Sequence, residues 1–125
     1  MFLIIGGAYQ GKLKYAFERF HFTENDVYRC SEGDRKTPRG KVVYGLEDWI
    51  LALVKADMDV AEKVREFIGQ NTDAVVICRD ISCGVVPTDA VLRKWREDVG
   101  RSLTALSKNA SEVIRLFCGI PTGIK

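Results

Sequence analysis

Residues 6–13 read Gly6-Gly7-Ala8-Tyr9-Gln10-Gly11-Lys12-Leu13 and satisfy the pattern G-x-x-x-x-G-K-[ST] at every defined position except the last. Glycines at these points let the backbone curl so that consecutive N–H groups face inward, where a side chain would obstruct a phosphate oxygen. The helix that follows adds its positive N-terminal end, and the lysine brings a point charge to the β- and γ-phosphates of a nucleotide. The bland alternative is a glycine turn with Lys12 in solvent. Leu13 is the departure that matters. The serine or threonine of the pattern coordinates Mg²⁺, and leucine has no oxygen, so binding of GTP or ATP survives this change better than Mg²⁺-dependent transfer does.

A second group lies at the end of another apolar run. Ala74 to Cys78 is apolar throughout and is followed by Arg79-Asp80. A carboxylate at the carboxyl edge of a strand is suited to hold Mg²⁺ or to accept a substrate proton, so Asp80 is the candidate metal ligand and, with Lys12, the candidate catalytic pair. A strand-end aspartate also commonly caps the next turn, and both readings stand. His21, the only histidine, ends the first helix in Phe20-His21-Phe22 with no acid or base beside it, which favours a helix-terminal role over a nucleophilic one. Cys30, Cys78, Cys83 and Cys118 contain no C-x-x-C pair, and only Cys78 and Cys83 approach the spacing of zinc ligands; they read as reduced, mostly buried thiols.

These groups need elements to position them. Phe2 to Ile5 is an unbroken apolar run ended by Gly6-Gly7, the signature of a strand buried on both faces, and is expected at the centre of a parallel sheet. Leu13, Ala16, Phe17 and Phe20 predict a helix over about 11–20 that packs back on it. Short strands are expected at 26–30 and 41–44, separated by an exposed polar loop over 31–40. Leu46, Trp49, Ile50, Leu53 and Val54, then Val60, Ala61, Val64, Phe67 and Ile68, mark two helices or one bent helix. A strand follows over 73–78. Pro87-Thr88-Asp89 signals the start of the longest helix, which runs to about residue 108 on Val91, Trp95, Val99, Leu103 and Leu106. Its opposite face carries Arg93, Glu97 and Arg101 as a solvated ion-pair ladder. A last strand covers 111–117. Alternating strands and helices predict an α/β domain with a mostly parallel sheet, in which ligands bind beyond the carboxyl ends of the strands. Gly6 to Lys12 and Arg79 to Gly84 are therefore expected to face one crevice.

The chain has 125 residues, 46% hydrophobic and 29% charged, which suits one domain spanning 1–125. A net charge of +2 is too small to point to nucleic acid or an anionic membrane, although the part after Ala90 is mildly basic. The longest apolar run, Trp49 to Val54, is far too short for a membrane span, and the apolar Met1 to Ile5 lacks the cationic flank of a signal peptide, so a cytoplasmic location is expected.

Ala74 to Pro87 resembles the strand and Asn-Glu-Val-Gly-x-Gly-x-Val-Pro loop of the adenosylcobinamide kinase/adenosylcobinamide-phosphate guanylyltransferase family. Arg96 to Arg101 is similar to that family's Arg-Asp-x-x-Gly-Arg segment. Ser111 to Lys125, with Gly119-Ile120-Pro121, resembles its closing strand and Gly-Ile-Pro-x-x-Ile-Lys tail. The glycine loop matches its Gly-Gly-Ala-x-x-Gly-Lys-Ser, so the resemblance covers residues 1–20 and 74–125 in order. It implies a three-layer, RecA-like P-loop fold, often a homotrimer, and a two-step role in cobalamin assembly: phosphorylation of a cobinamide hydroxyl by a nucleotide, then GMP transfer through a guanylylated histidine. Here Leu13 replaces serine, Asp80 stands for glutamate and Ser82 for glycine. Residues 30–46 hold no histidine, in a middle part shorter than in the family enzymes. A nucleotide- and corrinoid-binding protein that has lost the guanylyltransferase half is expected, either a kinase or a catalytically degenerate paralogue that regulates or scaffolds a partner.

Overall fold

The computed structural model describes residues 1–7, 11–81 and 88–125. Strand β1 (Phe2–Gly6) is apolar on both sides because it lies inside the sheet, paired in parallel with β4 (Val75–Arg79) and with β5 (Glu112–Phe117). Beyond β4 come β3 (Val42–Tyr44) and then β2 (Val27–Arg29), both parallel, and β6 (Ile120–Gly123) closes the other edge antiparallel to β5. The order across the sheet is β2-β3-β4-β1-β5-β6. The carboxyl ends of the parallel strands share one edge, where the described parts of the two segments expected to meet come together, Gly6, Gly11 and Lys12 with Arg79; residues 8–10 and 82–84 lie outside the described residues.

Alternation along each strand divides the core into two faces. Leu3, Val43, Val76, Cys78 and Val113 point to the side covered by α2 (Leu46–Lys55), α3 (Val60–Gln70) and α4 (Ala90–Asn109). There Trp49 and Phe67, both fully buried, lie with ring centroids 5.6 Å apart. Ile4, Val42, Val75, Ile77 and Leu116 point to the other side, where α1 (Lys12–Phe20) buries Ala16 and packs Leu13 and Phe20 against them. The result is the three-layer α/β sandwich expected from the strand–helix alternation.

The break between α2 and α3 is real: Asp57 adopts a left-handed backbone, φ 55°, and Asp59 caps α3 by accepting from the Glu62 amide at 3.1 Å. Asp89 caps α4, accepting from Val91 and Leu92. The polar loop over 31–40 is anchored at its far end, where buried Asn71 donates through Nδ2 to Pro38 O and Phe67 O, each at 3.0 Å.

Several expectations are corrected. The strand expected over 73–78 begins at Val75 and takes in Arg79, because Thr72 and Asp73 form the preceding turn. The chain does not end in one strand but in a hairpin: Cys118 and Gly119, with φ of 52° and 75°, form a two-residue turn of the kind that suits the twist of paired strands. Residues 120–123 are all exposed, so no alternation marked them as a strand. Cys118 is exposed rather than buried, because it occupies that turn. On α4, Val91 is exposed, and Lys94 and Arg101 pair with Asp98 at 2.7 Å and 3.9 Å rather than along the Arg93–Glu97–Arg101 face.

Candidate active site

The cleft forms where three strand ends converge. β1 ends at Gly6, opposite Arg79 of β4 in the parallel register, and the Asp80 amide donates to Gly6 O at 2.9 Å. Residues 8–10 of the glycine loop, hence the expected ligands Ala8, Tyr9 and Gln10, lie outside the described residues, as do 82–87. On the far side of the loop Gly11 has φ 80°, a conformation that favours glycine, and serves as N-cap of α1 without a side chain to cap with. The first-turn amides of α1 therefore receive no bond from an N-cap side chain. Helices α2 and α3 carry acids in their first turns, and Asp89 caps α4. α1 has none there, and instead begins with Lys12 and Lys14.

Lys12 is buried, 8% exposed, and its Nζ donates to Gly7 O at 2.6 Å, so the ammonium closes the loop from within rather than reaching into solvent. Burial pushes this ammonium below the ordinary lysine range; the Glu47 carboxylate opposes the shift, and the Arg79 guanidinium adds to it. A buried cation held against a loop carbonyl is poised to exchange that partner for a stronger anion.

The opposite wall comes from β3 and α2. Gly45, also left-handed at φ 78°, donates its N–H to Ile77 O at 3.1 Å and turns the chain directly into α2. This places Glu47 and Asp48 in the first turn beside the cleft. Glu47 is as buried as Lys12; its Oε1 accepts from the Arg79 amide at 2.9 Å, and its backbone carbonyl accepts from Trp95 Nε1 at 2.7 Å. One acid thus ties α2 to β4 and, through its carbonyl, to α4. Burial pushes the Asp48 carboxyl up, Glu47 and Glu32 push it further, and Arg79 pulls it back. Gly11, Lys12, Leu13, Lys14, Tyr44, Glu47, Asp48 and Arg79 enclose a cleft of about 420 Å³, large enough for a phosphorylated ligand.

Gly6, Gly7, Gly11, Lys12, Leu13 and Asp80 are all at this edge, but they do not have equal parts. Asp80 is fixed by its backbone to Gly6, and the acidic side chains lining the cleft among the described residues are Glu47 and Asp48. Leu13 lines the cleft while packing partly into the core on the α1 face. His21 is the left-handed C-cap of α1, a helix of nine residues and about 13 Å, so it stands at the end away from the loop. Burial pushes the Cys30 thiol up to about 12 and Cys78 well above its ordinary value, which keeps both neutral and unreactive.

Sequence reasoning does not mark Glu47 and Asp48 as site residues, and it brings Arg79 to the crevice only as the start of the Arg79 to Gly84 segment, with no role of its own. A signal existed in Gly45-Leu46-Glu47-Asp48 directly after a strand, but acids in the first turn of a helix are ordinary macrodipole partners and raise no suspicion alone.

A mostly parallel sheet between helical layers, with a glycine-loop cleft at its carboxyl edge, defines an α/β protein of P-loop-like architecture. Residues 39–124, more than half of the chain, match the family model described as cobinamide kinase / cobinamide phosphate guanyltransferase, and the chain belongs to that family. Its role is accordingly kinase/guanylyltransferase-like within cobalamin biosynthesis, in a family that uses nucleotides and corrinoids. The matched span contains β3, the Glu47–Asp48 wall, Arg79 and Asp80; the glycine loop precedes it. No curated protein matches the chain. Among the described residues no helix is long and apolar enough to cross a membrane.

Proposed function

We propose that the cleft binds the polyphosphate of GTP or ATP on the Gly6–Lys12 loop and presents it to a hydroxyl of a cobinamide-type corrinoid, with phosphoryl transfer as the retained reaction. One observation carries this reading: Lys12, 92% withdrawn from solvent, is held on Gly7 O at the mouth of an uncapped, acid-free helix N-terminus. In this reading Lys12 stabilises charge on the transferred phosphoryl group, and the first-turn amides of α1 bind the remaining oxygens. In this reading Asp48, which lines the cleft and whose carboxyl is shifted toward the protonated form, orients the acceptor hydroxyl and takes its proton, with Asp80 at the same sheet edge as the alternative carboxylate.

Mg²⁺ fits this donor set poorly. Leu13 has no oxygen to offer in place of the serine or threonine hydroxyl that ligates the ion in the motif. Guanylyl transfer lacks a carrier, since the only histidine is His21 at the far end of α1.

A second reading, a degenerate paralogue that binds nucleotide without turnover, is favoured by the packing of Leu13 into the core. Calorimetric binding of GTP and ATP with and without Mg²⁺, joined to a phosphoryl-transfer assay on cobinamide, separates the two. Transfer supports the kinase. Binding without transfer supports the paralogue, and absence of binding at millimolar nucleotide would refute both. Leu13→Ser, which restores the hydroxyl of the motif, is expected to raise the dependence of binding on Mg²⁺. Labelled GTP should leave no covalent label on His21.

A further inference from the structure

We infer that Arg79 is a second phosphate ligand of the cleft, supplying positive charge where the motif would use a metal ion, and that polyphosphate binding here is independent of divalent cations. The inference rests on the cleft being the nucleotide site and adds how that site manages without the hydroxyl missing at Leu13.

Arg79 is the last residue of β4 and sits opposite Gly6, the last residue of β1, where the glycine loop begins. Its backbone is fixed twice over. The Arg79 amide donates to buried Glu47, and the amide of the next residue donates to Gly6 O. Arg79 lines the same cleft as Gly11, Lys12 and Leu13. Among the described residues the guanidinium forms no ion pair within 4.0 Å, and its Nε–H is buried without a hydrogen-bond acceptor.

An unpaired buried donor on a charged group is costly, so it calls for a function or a missing partner. A phosphate oxygen is the partner that a guanidinium meets best, through two parallel N–H bonds. Arg79 and Lys12 are close enough that the guanidinium depresses the ammonium's proton affinity. An anion shared between them would relieve that repulsion. Glu47 and Asp48 face the same space and would repel the ligand, but one oxygen of Glu47 is already committed to the Arg79 amide. Together Lys12 and Arg79 carry the formal charge of one Mg²⁺. Unlike the metal ion of the motif, they need no oxygen at position 13.

The test is isothermal titration of the full chain with ATP, GTP and inorganic tripolyphosphate, in EDTA and in excess Mg²⁺. The wild-type protein should bind all three in EDTA with affinities within about threefold of those in Mg²⁺. Arg79→Gln should weaken binding in EDTA by about 10- to 100-fold, equally for tripolyphosphate and nucleotide, and should make binding respond to Mg²⁺. Arg79→Lys, which keeps the charge and loses the fork, should fall between. A structural role would lower thermal stability in both variants without creating a response to Mg²⁺. Wild-type binding that requires Mg²⁺, or a folded Gln or Lys variant that binds tripolyphosphate in EDTA as tightly as wild type, overturns the inference and leaves the nucleotide site standing. Failure of the wild type to bind any probe overturns both.

Discussion

Replacing Lys12 by methionine separates what the buried ammonium does for the ligand from what it does for the fold. In the free protein the substitution removes a 2.6 Å charge-assisted bond to Gly7 O, worth about 1.5–3 kcal/mol. Against this, the ammonium of a lysine only 8% exposed carries a desolvation penalty of about 1–3 kcal/mol, which an unbranched apolar side chain of similar length abolishes. Glu47 loses one neighbouring cation but keeps its bond from the Arg79 amide. The terms nearly cancel, and the free variant should lie within about 1 kcal/mol of wild type, or about 3–6 °C for a chain of this size. The liganded state behaves differently. At a nucleotide concentration of about 100 times Kd the wild type gains about 2.7 kcal/mol. Loss of the lysine contact weakens binding by about 10- to 100-fold, so the same concentration stabilises the variant by only about 0.4–1.4 kcal/mol. Thermal unfolding of both proteins with and without nucleotide reads the two effects in one experiment. A full ligand-induced rise in a folded Lys12→Met variant would refute the reasoning, as would a free variant destabilised by more than about 3 kcal/mol, which would make Lys12 a structural residue.

Gly11→Ala should cost about 1–2 kcal/mol in urea unfolding, from the left-handed backbone, because among the described residues a Cβ at that position meets no atom within 4 Å; an unchanged midpoint would show that the loop does not need this conformation. Lys12 is held below the unfolded lysine value of 10.5, so between its folded value and 10.5 the unfolded chain binds more protons and this group's share of stability rises with pH. Phosphate favours the ammonium, so nucleotide binding in alkaline buffer should take up protons, and identical calorimetric heats in buffers of different ionisation enthalpy would contradict it. Asn71→Ala should cost about 1–3 kcal/mol and speed amide exchange over residues 31–40, since both bonds from its Nδ2 are buried, while nucleotide affinity stays constant. Unaltered exchange in that loop would show it is anchored elsewhere.

Much of the layered fold was legible because its signals are periodic and local. Phe2 to Ile5 and Ala74 to Cys78 are apolar without alternation, which only strands covered on both faces can be, and the helical stripes of α2 and α3 repeat at steps of three and four. The hairpin at Cys118-Gly119 escaped because an exposed edge strand containing Pro121 buries nothing and so leaves no period. On the functional side Lys12 was legible from its motif, and its buried bond to Gly7 O was not. The acidic wall was invisible for a different reason. Glu47 and Asp48 are 35 and 36 residues beyond Lys12 in the chain, and only the placement of β3 two strands away from β1 brings them to it.

By itself the order of residues determined the alternation of strands and helices, the left-handed glycine at the head of α1 and the lysine behind it, since each depends on conformational preferences within a few positions. Tertiary structure decided which charges meet. Packing β4 between β1 and β3 sets Arg79 beside Gly6 and hangs Glu47 on its amide, so the field at Lys12 comes from groups on separate strands and helices. Electrostatic energy in a site shielded from water depends on distances of a few ångströms, and the folded sheet sets them for residues far apart in the chain.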